Sequence, residues 1–85
     1  MDAEFAESAE GRLLAVLSRR ANLGLPCPTM PQLAAEAGIG DGNAGTYRFG
    51  KLLALGKIRE VKMAEGRVVT IVATGARTAA PGGRA

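Results

Sequence analysis

The chain has 85 residues, a length that supports one hydrophobic core and therefore a single domain. Hydrophobic residues make up 47% of the chain but aromatic residues only 4%, so the core must be built from aliphatic side chains. The formal net charge is +3, and four of the eight acids lie in residues 1–10, which leaves 11 bases against 4 acids, or +7, over residues 11–85. A basic body of this kind attracts polyanions such as nucleic acid or an anionic membrane surface.

The composition argues against membrane-spanning, secreted and enzymatic proteins. No apolar stretch approaches the roughly 18 residues of a membrane span, and the acidic start differs from the basic start of a signal peptide, so we expect a cytoplasmic protein. The single cysteine, Cys27, cannot form an internal disulfide, which fits a reducing compartment. The chain has no histidine and only scattered acids. We therefore expect no metal site, no cofactor and no catalytic triad, and hence no enzyme.

The first predicted helix covers about residues 3–21, where apolar residues recur at helical spacing between charged ones. Acids occupy its opening turns, and Arg19 and Arg20 close it, which is the arrangement that the helix dipole favours. Residues 1–9 are predicted as an acidic N-terminal arm that frays or as the start of this helix. Gly11 is an alternative starting point.

A second helix is predicted after the prolines that end the first. Thr29 and Gln32 have the spacing of a capping box, and Pro31 fits the first helical turn because its missing N–H is not needed there. Gly38 can adopt the left-handed conformation that ends a helix, and Ile39 is expected to pack back onto it.

A third helix is predicted over residues 41–55, with Asp41 as its N-cap and Gly56 as its stop signal. Two strands, 58–63 and 67–72, follow and are joined by the tight turn 64–66. The fold class is therefore α+β, with three helices followed by a β-hairpin. The remaining residues, 73–85, are mainly Gly, Ala, Thr and Pro, and we expect a mobile tail.

The second and third helices together have the pattern of a helix-turn-helix. The small residue Ala34 allows the two helices to cross closely, Gly38 makes the turn, and Ile39 fills the space between them. With the hairpin that follows, residues 10–72 resemble the winged helix-turn-helix domain of LexA-type repressors and related bacterial winged-helix regulators. The resemblance is carried by Pro28-Thr29, Leu33-Ala34, Gly38-Ile39, Asn43-Ala44, Leu52 and the run from Gly56 to Val61.

The resemblance implies a sequence-specific protein that binds double-stranded DNA and regulates transcription. The third helix would enter the major groove, and the hairpin, or wing, would contact the neighbouring backbone. The residues expected to face base edges are Asn43, Ala44, Thr46, Tyr47 and Arg48. The residues expected to contact phosphate are Thr29, Lys51, Lys57, Arg59, Lys62 and Arg67. Whether the chain also forms a homodimer or binds a protein partner is left open.

The third helix departs from the family pattern in its glycine content. Gly42, Gly45 and Gly50 fall within it, and each interior glycine costs about 1 kcal/mol relative to alanine. Either these glycines allow close approach of the backbone to DNA or to the first helix, or this surface does not read bases.

Three alternatives accompany the DNA-binding hypothesis. Tyr47 is about as well suited to packing under the wing as to contacting DNA. The wing cations could be neutralised by Glu60 and Glu65 through cross-strand pairing. The whole fold could also serve as a protein-interaction adaptor. This hypothesis is favoured if the four cations do not share one face of the molecule: Arg48, Lys51, Lys62 and Arg67.

Overall fold

The computed structural model describes residues 3–81, with the side chain of residue 3 excepted. Within that range the chain forms four helices followed by one antiparallel hairpin. The elements are α1 (Ala3–Glu7), α2 (Ala9–Asn22), α3 (Met30–Ala37), α4 (Gly42–Ala54), β1 (Ile58–Met63) and β2 (Gly66–Ile71). This α+β order is compatible with a winged helix. No helix in residues 3–81 combines the length and the apolar character needed to cross a membrane.

The predicted first helix is divided at Ser8. The Ser8 hydroxyl donates to the Phe5 carbonyl at 2.6 Å and accepts the Gly11 N–H at 3.0 Å, so it ends α1 and caps α2. A Cβ on Gly11 would lie 1.8 Å from the Phe5 carbonyl oxygen, so only glycine lets α1 fold back onto the start of α2. The alternative start at Gly11 is therefore wrong, because α2 begins at Ala9 and the glycine instead allows a close contact between the two helices.

The predicted caps of α3 and α4 are present. Thr29 Oγ1 accepts the Gln32 N–H while the Gln32 side chain accepts the Thr29 N–H, which completes the capping box. Gly38 ends α3 with φ of 68°, in the left-handed region. Asp41 Oδ1 accepts the Ala44 N–H at 3.0 Å and begins α4. Local interactions therefore fix both ends of α3 and the start of α4.

The two helices α3 and α4 pack closely at one glycine. A Cβ on Gly45 would lie 2.8 Å from the Met30 carbonyl oxygen and 3.2 Å from the Cβ of Ala34, so a side chain there would force the helices apart. Gly42 lies similarly against Pro31, where the corresponding distance to Cγ is 3.1 Å. Gly42 and Gly45 therefore allow α3 to approach α4. The alternative that these glycines allow a close approach to the first helix is wrong.

The hairpin pairs β1 with β2 from Ile58 opposite Ile71 to Met63 opposite Gly66. The second strand begins one residue earlier than predicted, because Gly66 already pairs across the turn. Side chains alternate between two faces of the hairpin. The inner face carries Ile58 and Val69, which are buried against the helices, while the outer face carries the exposed Val61.

A third segment, residues 76–79, extends the sheet beyond β2. The Ile71 N–H donates to the Ala76 carbonyl at 2.8 Å, and the Thr78 N–H donates to the Val69 carbonyl at 2.9 Å. Thr78 is buried, and its hydroxyl accepts the Val69 N–H at 2.9 Å. The free edge of β2 is therefore covered.

The same segment is tied to the loop that follows α2. The Ala79 N–H donates to the Leu25 carbonyl at 3.0 Å, and Ala79 forms a parallel bridge with Pro26. Part of the segment predicted as a mobile tail thus has backbone hydrogen-bond partners elsewhere in the fold. Its Gly, Ala, Thr and Pro composition resembles that of a loop, but its partners, β2 and residues 25–26, are distant in sequence. Residues 82–85 of the predicted tail, and residues 1 and 2 of the predicted arm, lie outside the described residues.

The core lies between the helices and the inner face of the hairpin. Every element from α2 onward contributes a fully buried aliphatic side chain, except for the third sheet segment. The largest of these side chains are Leu13, Leu17, Leu33, Leu52, Ile58 and Val69. Phe49 of α4 is 3% exposed and completes the cluster. The core thereby fixes which side of α4 faces outward.

Candidate nucleic-acid interface

One side of α4 is exposed along its whole length. The buried residues Gly45, Phe49 and Leu52 recur at helical spacing, and the exposed ones occupy the opposite side. We call the exposed set the outer stripe of α4: Asn43, Thr46, Tyr47, Gly50, Lys51 and Ala54. The outer stripe is mostly polar, begins at a capped helix N-terminus and includes one cation. It is the surface of the described residues that best fits a groove-binding helix.

Three of the five predicted base-reading residues lie on the outer stripe. Asn43, Thr46 and Tyr47 project from the first two turns of α4, where a helix entering a groove makes its base contacts. Ala44 is half-buried at the edge of the outer stripe. Arg48, the fifth residue, lies on a flank of the helix and is paired with an acidic side chain of α2.

Arg48 forms an ion pair with Glu10 at the start of α2. Its Nη1 lies 2.7 Å from Glu10 Oε2, and the carboxylate side chain is 15% exposed. The hydrogen bond from Arg48 lowers the pKa of Glu10, and the positive charges of Arg48 and Lys51 lower it further. The sequence interpretation missed this pair because the two residues are 38 positions apart. The four acids within residues 1–10, next to a chain that is otherwise basic, could have indicated such a pair.

Tyr47 is exposed and flanked by two cations. Its side chain is 58% exposed, with Arg48 Cζ 5.1 Å and Lys51 Nζ 5.6 Å from the ring centroid. Both distances fall within the range of a cation–π contact. Tyr47 therefore does not pack under the hairpin, which was the alternative role considered for it. The ring and the two cations form a platform able to meet a base face or a sugar-phosphate strand.

Two of the predicted phosphate contacts occupy positions near the helix ends. Thr29 is exposed at the N-cap of α3, where its hydroxyl is engaged by the Gln32 N–H. The Lys57 ammonium lies 5.3 Å from the centroid of the Phe5 ring, which places it beside α1 and beyond the end of α4. Lys57 is thus separated along the helix axis from the capped start of the outer stripe.

The cations of the hairpin divide between its two faces. Arg59 lies on the outer face with Val61, whereas Lys62 lies on the inner face directly opposite Arg67. Arg67 Nη1 lies 3.1 Å from Glu60 Oε2, so the predicted neutralisation by Glu60 is present for this arginine. The Arg67 guanidinium also lies over the Phe49 ring at 5.1 Å. Within residues 3–81, Glu65 forms no salt bridge.

The four cations named as a test of the DNA-binding hypothesis lie at different places around α4 and the hairpin, although Arg48 and Lys51 both flank Tyr47. Arg48 and Phe49 are consecutive and lie about 100° apart around α4. Arg48 faces α2, whereas Arg67, which covers Phe49, lies on another flank. Lys51 lies on the outer stripe, and Lys62 is exposed on the hairpin. Two of the four, Arg48 and Arg67, are paired with carboxylates of the protein, whereas Lys51 and Lys62 form no salt bridge within residues 3–81.

Other kinds of site receive little support from the described residues. Two shallow clefts of about 190 and 220 Å³ flank the hairpin turn, and the second is lined by Cys27, Thr29 and Arg67 among others. Burial raises the pKa of the Cys27 thiol, which disfavours the reactive thiolate. Within residues 3–81 no three His, Cys, Asp or Glu side chains gather as metal ligands would.

Comparison with known proteins gives no assignment. The chain matches no protein-family model, no curated protein and no solved structure. The geometry of α4 and its flanks is therefore the basis for a functional interpretation.

Proposed function

We propose that this chain is a winged helix-turn-helix domain that binds double-stranded DNA and regulates transcription. The observation that carries the proposal is the outer stripe of α4, a polar helix surface left open by every other described element. An α-helix with its side chains is about 10–12 Å across, and the major groove of B-DNA is about 12 Å wide. A helix whose inner side is anchored by Phe49 and Leu52 can enter that groove without unfolding.

In this proposal the first turns of the outer stripe contact bases and its later turns contact phosphates. Asn43 presents an amide that can pair with adenine, and the Thr46 methyl can contact a thymine methyl. Lys51, one turn beyond Tyr47, reaches toward the phosphates that border the groove. Lys62, exposed on the hairpin, contacts the neighbouring backbone as a wing residue.

Arg48 participates in this scheme only by exchanging partners. Its guanidinium must leave Glu10 before it can meet a guanine edge or a phosphate. Such an exchange replaces one charge-assisted hydrogen bond by another, so its net contribution to affinity is small. Affinity is therefore expected to rest on the outer stripe and the hairpin more than on Arg48.

A salt titration with random-sequence duplex tests DNA binding directly. We expect a complex at micromolar protein and low salt, with a log–log slope of affinity against salt of about −4 if four to five phosphates are neutralised. Fluorescence anisotropy of a labelled 20–25 base-pair duplex, roughly two turns of DNA, measures both quantities. Absence of any complex at micromolar protein would count against the proposal.

Replacing Lys51 by alanine tests which surface contacts DNA. We expect Lys51→Ala to weaken binding about three- to tenfold and to reduce the salt slope by about 1, because one phosphate contact is lost. Arg19→Ala, which removes the same charge from the exposed surface of α2, is the matched control and should change binding less than about twofold. Equal losses in the two variants would show that bulk charge, and not the outer stripe, governs binding.

A protein-interaction adaptor is the second candidate function. The ion pairs of Arg48 with Glu10 and of Arg67 with Glu60 favour it, because they reduce the positive charge offered to DNA. An NMR titration with duplex separates the two functions. DNA binding requires the amides of Asn43, Thr46 and Lys51 to shift together while the last turns of α2, away from Glu10, stay unchanged. Unperturbed spectra at saturating duplex would favour the adaptor.

A further inference from the structure

The outer edge of β1 is open in the described part of the chain. β2 is covered on both sides, by β1 and by residues 76–79, but among residues 3–81 β1 pairs only with β2. The Val72 N–H donates to the Lys57 carbonyl at 3.1 Å, so the backbone of residue 57 faces β2. Because backbone direction alternates along a strand, the N–H and C=O groups of Ile58, Glu60 and Lys62 point away from the hairpin.

The same edge exposes apolar side chains on the outer face. Val61 is 64% exposed, and Met63, which lines a cleft with Pro81 beside the hairpin turn, is 48% exposed. An edge strand with free backbone groups and exposed apolar side chains is a template for pairing with another strand. Its charges are Arg59 on the outer face and Glu60 and Lys62 on the inner face.

We propose that β1 pairs antiparallel with β1 of a second copy of this chain, about a two-fold axis at Val61. Antiparallel pairing that keeps inner faces together allows three registers centred on this strand. Centring on residue 60 places Glu60 opposite itself, and centring on residue 62 places Lys62 opposite itself, so both bring like charges together. Centring on Val61 places Glu60 opposite Lys62 of the second copy, twice.

Backbone geometry selects the same register. Glu60 and Lys62 direct their N–H and C=O groups outward, so they form the hydrogen-bonded pairs, and Val61 faces Val61 of the second copy at a non-hydrogen-bonded pair. Side chains approach most closely at such a pair, which buries an otherwise exposed valine. Oε2 of Glu60 accepts from Arg67, and Oε1 has no partner within residues 3–81, so it can accept from the lysine.

The resulting dimer is expected to be weak. Pairing of one six-residue strand with its copy buries less than the roughly 1,600 Å² of a standard interface. We expect a dissociation constant on the order of micromolar to tens of micromolar. The proposal does not depend on DNA binding, because it concerns the hairpin edge, shares only Lys62 with the proposed DNA interface and is tested without DNA.

Sedimentation of the full chain over a concentration series, without DNA, tests the proposal. We expect the dimer fraction to rise with concentration, and Lys62→Glu to raise the dissociation constant at least about tenfold, since it makes two attractive pairs repulsive. Arg59→Glu changes charge equally on the same strand but faces Met63 of the second copy, and should have less than about a threefold effect. A chain that stays monomeric at about a hundred times the expected dissociation constant overturns the proposal, as does equal weakening by both variants.

A charge exchange makes the register itself testable. Lys62→Glu and Glu60→Lys should each be monomeric alone, because each places like charges opposite one another. In an equimolar mixture the two variants present opposite charges at both pairs and should form a heterodimer. Thermal melting of each variant establishes that it folds, which matters because Glu60→Lys also removes the partner of Arg67. A folded mixture that remains monomeric overturns the register.

Discussion

The two sides of α4 each carry a glycine, and the surroundings of the two differ. Gly45 lies on the inner side, where a Cβ would come within 2.8 Å of the Met30 carbonyl oxygen. Gly50 lies on the outer stripe, where a Cβ would meet no atom within 4 Å. Both have the same intrinsic cost in a helix interior. The fold accounts for the first glycine, whereas no close contact within the described residues accounts for the second.

Gly45→Ala is expected to give the largest effect. The added methyl would lie against backbone, which cannot move aside as a flexible side chain can, so we expect a cost of about 2–3 kcal/mol, in the upper part of the range for overpacking. The gain in helix propensity offsets only about 1 kcal/mol of this. We expect net destabilisation of about 1–2 kcal/mol in urea unfolding monitored by circular dichroism. Unchanged or increased stability would show that α3 and α4 do not approach as closely as described.

Gly50→Ala is the matched substitution on the other side of the helix, and its expected effect on stability has the opposite sign. With no steric conflict, alanine should stabilise the fold by about 0.5–1 kcal/mol. If DNA approaches the helix backbone at this position, the same methyl should weaken duplex binding about tenfold through overpacking. A variant that is more stable and binds duplex equally well would remove Gly50 from the proposed interface.

The difference between these glycines also shows where sequence reasoning succeeds. Thr29, Gly38 and Asp41 were predicted because helix caps depend on residues three or four positions away. The hairpin was predicted to within one residue because alternation and turn composition are also local. Which glycine is buried depends on how α3 crosses α4, and that crossing is a tertiary property. The sequence pattern predicted the helix correctly but did not show which of its glycines is buried.

Contacts that are distant in sequence explain the remaining differences. The break at Ser8 depends on α1 folding back over Gly11, and the hydrogen bonds of residues 76–79 depend on the edge of β2. Similarly, Arg48 was predicted as a base reader from its position in the helix. Its ion pair with Glu10 arises only when α2 packs beside α4. Periodicity assigns a residue to a face of a helix but does not identify the partner on that face.

The smallest expected effect on stability concerns the flank of α4 where Arg48 pairs with Glu10 of α2. Because the folded-state pKa of Glu10 is lowered, its ion pair stabilises the fold above the unfolded pKa of about 4.5 and is lost as pH falls through the folded value. Because the Arg48 side chain is 37% exposed, the pair is screened by solvent and contributes less than about 1 kcal/mol. Glu10→Gln should therefore be slightly less stable than the native chain at pH 7 and equally stable at strongly acidic pH, in urea unfolding at both pH values.

The same substitution tests whether this flank opposes DNA binding. Glu10→Gln releases Arg48 and removes a negative charge beside Lys51, so duplex affinity at pH 7 should rise about two- to fivefold. Glu7→Gln removes an equal charge from an exposed position on α1, and it separates release of Arg48 from the change in net charge. If both variants gain equally, the ion pair does not restrain Arg48. If Glu10→Gln alone gains, the flank competes with phosphate for the arginine, and the outer stripe and its neighbouring flank act in opposite directions on one ligand.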